Sequence, residues 1–124
     1  ALHDIGVIIP VPLHVKKLKA RGFNQSEWFA KGLAAGLRKP LDCSSLVRTV
    51  YTSTQTRKKK YQRWENVEGI FSLPQPSSLE GQHVLLVDDV ITTGATIEAA
   101  WMALKQAPGL KLSVLSIAFA SKTP

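Results

Sequence analysis

Apolar positions along the chain follow two rhythms. Residues 5–11 (IGVIIPV) and 83–87 (HVLLV) are nearly unbroken apolar runs rich in β-branched side chains, the pattern of strands covered on both faces in a parallel sheet. Residues 46–51, 67–73 and 112–119 (LSVLSIAF) predict three more strands, and the 83–87 strand should stop at Asp88 and Asp89. A helical rhythm begins at Asn24, an N-cap with Glu27 as its capping-box partner and Phe23 and Trp28 placed as a hydrophobic staple. Phe29, Leu33 and Leu37 then share a face, and Gly32 and Gly36 suggest close packing on the sheet. A second helix is predicted over 95–107, capped by Thr92 or Thr93, with Ile97, Trp101 and Leu104 on its apolar face and Gly109 beyond its end. Between the second and third strands lies TSTQTRKKKYQRWEN, residues 52–66, polar and aperiodic, which predicts a long mobile loop. Loops of that length in small domains are uncommon unless they have a function or are disordered. The order of elements predicts an α/β fold, a mostly parallel five-stranded sheet with flanking helices and ligands at the carboxyl ends of its strands.

A length of 124 residues fits one domain able to bury a core without disulfides or a structural metal. The lone Cys43 agrees, since it can neither staple the chain nor form a CxxC pair, and it should be chemically inert. No run is long enough to span a membrane and the first residues do not resemble a signal peptide, so a cytoplasmic location is expected. The net charge of +7 is unevenly spread: residues 1–63 carry thirteen Lys and Arg against Asp4, Glu27 and Asp42, whereas residues 64–124 carry three against six acids. The first half is therefore an anion attractor, for a phosphate metabolite, a nucleic acid or an acidic protein.

Candidate chemistry concentrates in residues 84–96, VLLVDDVITTGAT: a buried strand, two carboxylates, then a Thr-Thr-Gly turn opening a helix. Backbone N–H groups at the helix start, the helix dipole, the threonine hydroxyls and a glycine that lets the backbone curl inward make a phosphate cradle. The carboxylates would repel phosphate. They suit either the hydroxyls of an adjacent sugar or a divalent cation bridging to further phosphate. Neither GxGxxG nor a Walker sequence is present.

This segment resembles the phosphoribosyl-pyrophosphate (PRPP) binding motif of type I phosphoribosyltransferases: apolar residues, two acids, then Thr-Thr-Gly-x-Thr. Residues 9–25 (IPVPLHVKKLKARGFNQ), with Gln55, Arg63, Asn66, Val67 and Phe71, resemble the ComF-type, competence-associated branch. The likeness runs over nearly the whole chain. It implies that Asp88 and Asp89 hold the ribose 2′ and 3′ hydroxyls at the reacting centre, and that Thr92, Thr93, Gly94, Ala95 and Thr96 hold the 5′-phosphate. Leu13, His14, Lys16, Lys17 and Arg21 would bind pyrophosphate, a flexible loop with Gln55, Arg57, Lys58, Lys59, Lys60 and Arg63 would close over the site, and residues 119–122 would lie near the acceptor base. Magnesium would arrive with PRPP, with no direct protein ligand. ComF-like chains usually extend further towards the N-terminus, often with a zinc ribbon, so residues 1–124 are expected to form a single domain lacking such a portion.

The activity implied is transfer of phosphoribosyl from PRPP to a nitrogen acceptor with release of pyrophosphate, through a transition state of oxocarbenium character. Exclusion of water then matters, and a mobile loop answers that need. The alternative is a binding module that senses PRPP or holds single-stranded DNA, for which the run RKKKYQR and Trp64 offer cations beside aromatics. His14 and His83 are read as structural rather than as acid or base.

Overall fold

A computed structural model of the chain describes residues 4–13, 22, 24–49, 70–91 and 94–119. Strand β1 (Val7–Pro10) is buried at all four positions. It runs parallel to β4 (His83–Ile91), which runs parallel to β5 (Lys111–Phe119), giving the order β1-β4-β5. The register pairs Val7 with Val84 and Pro10 with Val87, then His83 with Lys111 and Asp88 with Ser116. On the other side of β1, Leu41 makes a parallel bridge to Ile8, with Ile8 N–H donating to the Pro40 carbonyl and Asp42 N–H to that of Ile8, both at 2.9 Å.

The remaining strands, β2 (Val47–Arg48) and β3 (Phe71–Ser72), form a two-stranded antiparallel ribbon. The five expected strands are therefore present among the described residues but divide into a parallel three and an antiparallel two. The neighbour of β1 that they might have supplied is instead the Leu41 segment. The fourth strand also differs from expectation. It does not stop at the two acids but continues to Ile91, because β5 is equally long and keeps supplying partners up to Phe119.

Because side chains alternate along a strand, the parallel sheet presents two apolar faces. Val7, Ile9, Val84 and Leu86 pack with Phe71, Leu73 and helix α2 (Ala95–Leu104), whereas Ile8, Leu85 and Val87 pack with helix α1 (Gln25–Leu37). The helices meet the sheet through small residues. On α1 the buried stripe is Ser26, Ala30 and Ala34, and on α2 it is Ala99, Ala100 and Ala103, with Leu104. Two expectations are corrected here. Phe29 and Trp101 are substantially exposed, because alanines occupy the contact line and push the larger side chains to its rim. Gly32 and Gly36 face open space, so they mark no close approach to the sheet.

Helix α1 starts as its sequence indicates: the Asn24 side chain accepts hydrogen bonds from the N–H groups of Ser26 and Glu27, at 2.9 and 3.3 Å. The Glu27 carboxylate turns to Lys31, 3.8 Å away. Phe23, the other half of the expected staple, lies outside the described residues, and its partner Trp28 is 72% exposed. The N-cap position of α2 is Gly94; Thr92 and Thr93, the expected caps, lie outside the described residues.

Candidate functional site

Neighbouring parallel strands end side by side, so the pairing of β1 with β4 brings the start of the loop after β1 next to the two acids of β4. Val11 N–H donates to the Val87 carbonyl at 2.8 Å, which sets Pro12 and Leu13 beside Asp88. The same stretch is held from two further directions. The Asn24 side-chain amide donates to the Val11 carbonyl at 3.2 Å, and Arg48 Nη1 donates to the Pro12 carbonyl at 3.2 Å. Asn24 thus caps its helix and fastens the end of the strand before it.

Asp88 is only 7% exposed, an unusual setting for a carboxylate. Its Oδ1 accepts the N–H of Asp89 at 2.9 Å. Burial, then a hydrogen bond shared with the Asp89 carboxyl and the charge of that residue, raise Asp88 from 3.8 to about 6. The Asp89 N–H and the Arg48 charge oppose this by favouring the ionised form. At neutral pH Asp88 is therefore an ionised acceptor held at a cost in desolvation, a setting found more often at functional sites than elsewhere.

Beyond β4 the chain turns through Gly94, whose φ of +82° is a left-handed conformation suited to glycine. Ala95 and Thr96 then open α2, and Glu98 N–H closes the first turn onto the Gly94 carbonyl at 2.9 Å. Among the described residues, its chain neighbours aside, nothing lies within 4 Å of the place a Cβ would take at Gly94. The start of α2 carries the positive end of the helix dipole, which favours an anion there.

Of the residues singled out in the sequence, Leu13, Asp88, Asp89, Gly94, Ala95 and Thr96 are described: Leu13 follows the end of β1, Asp88 and Asp89 follow the Val87 that pairs with Pro10, and Gly94 to Thr96 open α2. His14, Lys16, Lys17, Arg21, Gln55, Arg57, Lys58, Lys59, Lys60, Arg63, Thr92, Thr93 and residues 120–122 lie outside the described residues. A separate pocket of about 620 Å3 is lined by Pro12, Leu13, Asn24, Glu27, Trp28 and Cys43 among others, and includes neither acid of β4. Burial, then the charge and hydrogen bond of Glu27, push the Cys43 thiol up to about 11, which keeps it protonated and poorly nucleophilic.

The sequence reading passed over Arg48. Its guanidinium lies 5.3 Å from the centre of the Phe71 ring, on the neighbouring strand of the ribbon. Burial lowers its pKa and the Asp88 charge opposes that shift. The signal was present as one cation inside the short apolar strand 46–51.

With this geometry in place, comparison with known proteins decides the family. The sequence profile of the phosphoribosyl transferase domain matches residues 24–122. The chain belongs to that family. It is 38% identical over 90 residues to the DNA utilization protein YhgH of Escherichia coli O157:H7, an alignment covering 73% of this chain and 39% of the relative. It is 36% identical over 94 residues to the competence protein ComFC of Bacillus subtilis (strain 168), covering 76% of this chain and 36% of that protein. These relatives bear out the ComF-type resemblance, and the chain spans about two fifths of the length of the curated relatives it matches. Among solved structures, the glutamine PRPP amidotransferase from B. subtilis complexed with ADP and GMP superposes with a TM-score of 0.64 at 23% identity, over 90% of this chain and 22% of that one. That likeness shows the type I phosphoribosyltransferase-like α/β fold. Among the described residues no helix is long and apolar enough to cross a membrane.

Proposed function

We infer that this domain binds PRPP across the carboxyl ends of β1 and β4 and transfers its phosphoribosyl group to a nitrogen acceptor. The observation that carries the reading is the buried Asp88 with Asp89, placed between the start of the β1 loop and the left-handed Gly94 turn into α2. In this reading Asp88 and Asp89 accept hydrogen bonds from the ribose 2′ and 3′ hydroxyls. Residues 92–96 hold the 5′-phosphate on the helix start, residues 13–21 face the pyrophosphate, and the cations of 55–63 close over the reacting centre.

The nitrogen lone pair of the acceptor forms a bond to the anomeric carbon as the bond from that carbon to pyrophosphate breaks, and pyrophosphate leaves with the electron pair. Positive charge grows on the ribose ring in between. Carboxylates fixed beside that ring stabilise it without having to reorganise, and a low-dielectric setting strengthens the effect. In this reading both acids are engaged by the ribose hydroxyls, so a metal would be carried by the substrate rather than held by the protein. Magnesium arriving with PRPP would neutralise the departing pyrophosphate.

Isothermal calorimetry with magnesium and PRPP tests the site. The wild-type chain is expected to bind, and Asp88→Asn combined with Asp89→Asn to lose at least about tenfold in affinity, since hydrogen bonds to charged groups contribute about 1.5–3 kcal/mol each. Equal affinity in the double mutant overturns the assignment. Incubation with a panel of nitrogen bases, following pyrophosphate, then separates transferase from binder.

A second reading rests on charge. The cationic first half of the chain and the relatives named for DNA utilization and competence support a module that senses PRPP or holds single-stranded DNA without catalysis. PRPP binding without pyrophosphate release for any base would favour it. A cytoplasmic location fits either reading, since PRPP is a soluble intracellular metabolite.

A further inference from the structure

Arg48 stands where three parts of the fold meet. It belongs to β2, its Nη1 donates to the carbonyl of Pro12 at the start of the β1 loop, and its guanidinium lies over the Phe71 ring of β3 at 5.3 Å. Its hydrogen bond to Pro12 sets it close to Asp88 of β4, because Val11 N–H bonds the carbonyl of Val87, the residue before that acid. The charges of Arg48 and Asp88 act on each other. A half-buried guanidinium is a costly group to place in a core rim unless its charge and its donors are used. Here the planar fork supplies one donor to a backbone carbonyl, a face to an aromatic ring and a positive charge to a buried carboxylate, three uses that a lysine's single ammonium cannot combine.

We propose that Arg48 is a positioning residue which ties the start of the β1 loop to the Asp88 carboxylate and so links the β2–β3 ribbon to the phosphoribosyl site. This rests on the reading of that site given above. Arg48 acts through Pro12 and Asp88, and no contact with substrate is assigned to it. The residue that anchors this ribbon thus also holds the loop start next to the acid of β4. The charged groups acting on Asp88 are Asp89, its own neighbour on β4, and Arg48, from the ribbon; Ser116 of β5 is its cross-strand partner.

The test uses the full chain and two variants, Arg48→Gln, which removes the charge but keeps a donor for Pro12, and Arg48→Lys, which keeps the charge. Circular dichroism establishes that each is folded. Carboxyl-carbon NMR then follows the titration of Asp88 without ligand. Arg48→Gln is expected to raise the Asp88 midpoint above its wild-type value near 6, and Arg48→Lys to bring it most of the way back. Calorimetry with magnesium and PRPP at pH 7 should show a weaker affinity for Arg48→Gln than for wild type, in proportion to the fraction of Asp88 that becomes protonated. A folded Arg48→Gln protein with an unchanged midpoint overturns the proposal, and so does a shifted midpoint with wild-type PRPP affinity. If the midpoint shifts but neither wild type nor variant binds PRPP, the tie between Arg48 and Asp88 stands and it is the PRPP reading that falls.

Discussion

At the scale of single residues, Asp88 shows a conflict between stability and use. Its carboxyl titrates near 6 in the folded chain against an ordinary value of 3.8, so the folded state holds the proton more tightly than the unfolded one. The sign follows directly: the favourable contribution is fully present below about pH 4 and is lost as pH rises through 6. At pH 7 the buried, ionised carboxylate therefore costs on the order of 3 kcal/mol of stability. Asp88→Asn removes the charge while its amide oxygen can still accept the Asp89 N–H. The variant is expected to unfold in urea at pH 7 with about 3 kcal/mol more stability than wild type, and most of the gain should be gone at pH 4. A gain of the same size at both pH values would mean that the charge is not its source. The same substitution is expected to weaken PRPP binding, a trade of function for stability common at sites built on buried charge. Cys43 stands in contrast, exposed yet held protonated beside Glu27, and no comparable conflict attaches to it.

At the scale of elements, the helix ends offer a matched pair of predictions. Gly94, the N-cap of α2, has φ +82°, and Arg38, the C-cap of α1, has φ +56° with its N–H bonded to the Ala34 carbonyl. An L side chain in that region costs roughly 1–2 kcal/mol. Gly94→Ala should therefore lower stability by about 1 kcal/mol, since among the described residues, its chain neighbours aside, nothing lies within 4 Å of the new methyl group. Arg38→Gly should raise stability by about 0.5–1 kcal/mol, the gain being reduced by the greater freedom of glycine in the unfolded chain. Thermal melts of both variants check the signs. The elements also show what the sequence could carry. The two-faced strands 5–11 and 83–87 and the Asn24 cap were legible because burial on both faces and capping are local patterns. The rims of the helices were not, because periodicity places the large apolar residues on a face whereas the sheet accepts the smallest ones, so Phe29 and Trp101 were misjudged and Ala30, Ala34 and Ala99 overlooked. The extension of β4 past Asp88 was likewise hidden, since it depends on the length of a strand more than twenty residues later. At the site, the acids and the Gly94 turn announced themselves as one contiguous motif. Arg48 did not, because its partners Pro12, Phe71 and Asp88 meet it only in three dimensions.

At the scale of the whole molecule the governing fact is the separation of charge along the chain, a cationic first half joined to an acidic second half within a total of +7. A phosphoribosyl site needs cations around a pyrophosphate, but thirteen Lys and Arg in 63 residues exceed what one small polyanion can engage. If the excess serves a nucleic acid, the binding must have the signature of counterion release. Log affinity for a single strand falls with log salt at about −0.7 per phosphate neutralised, so four to six contacts predict a loss of roughly 50-fold to 300-fold between 50 and 200 mM salt. The expected outcome is salt-sensitive, sequence-indifferent binding to single-stranded DNA, centred on residues 57–64 and 16–21. Tyr61 and Trp64 would add about 1–3 kcal/mol each if bases stack on them. Fluorescence anisotropy of a labelled oligonucleotide across that salt range measures it for wild type, for Lys58, Lys59 and Lys60 changed together to Ala, and for Asp88→Asn. The triple variant should bind more weakly and with a shallower slope, because it neutralises fewer phosphates. Asp88→Asn should bind as wild type, because in the proposed reading the acid serves the sugar and stands apart from the basic run in the sequence. A triple variant with the wild-type affinity and slope would remove the basic run as a nucleic-acid surface and leave its cations to the closure over PRPP. Loss of DNA binding in both variants would instead mean that one surface serves both ligands, and PRPP would then compete with DNA in the same titration.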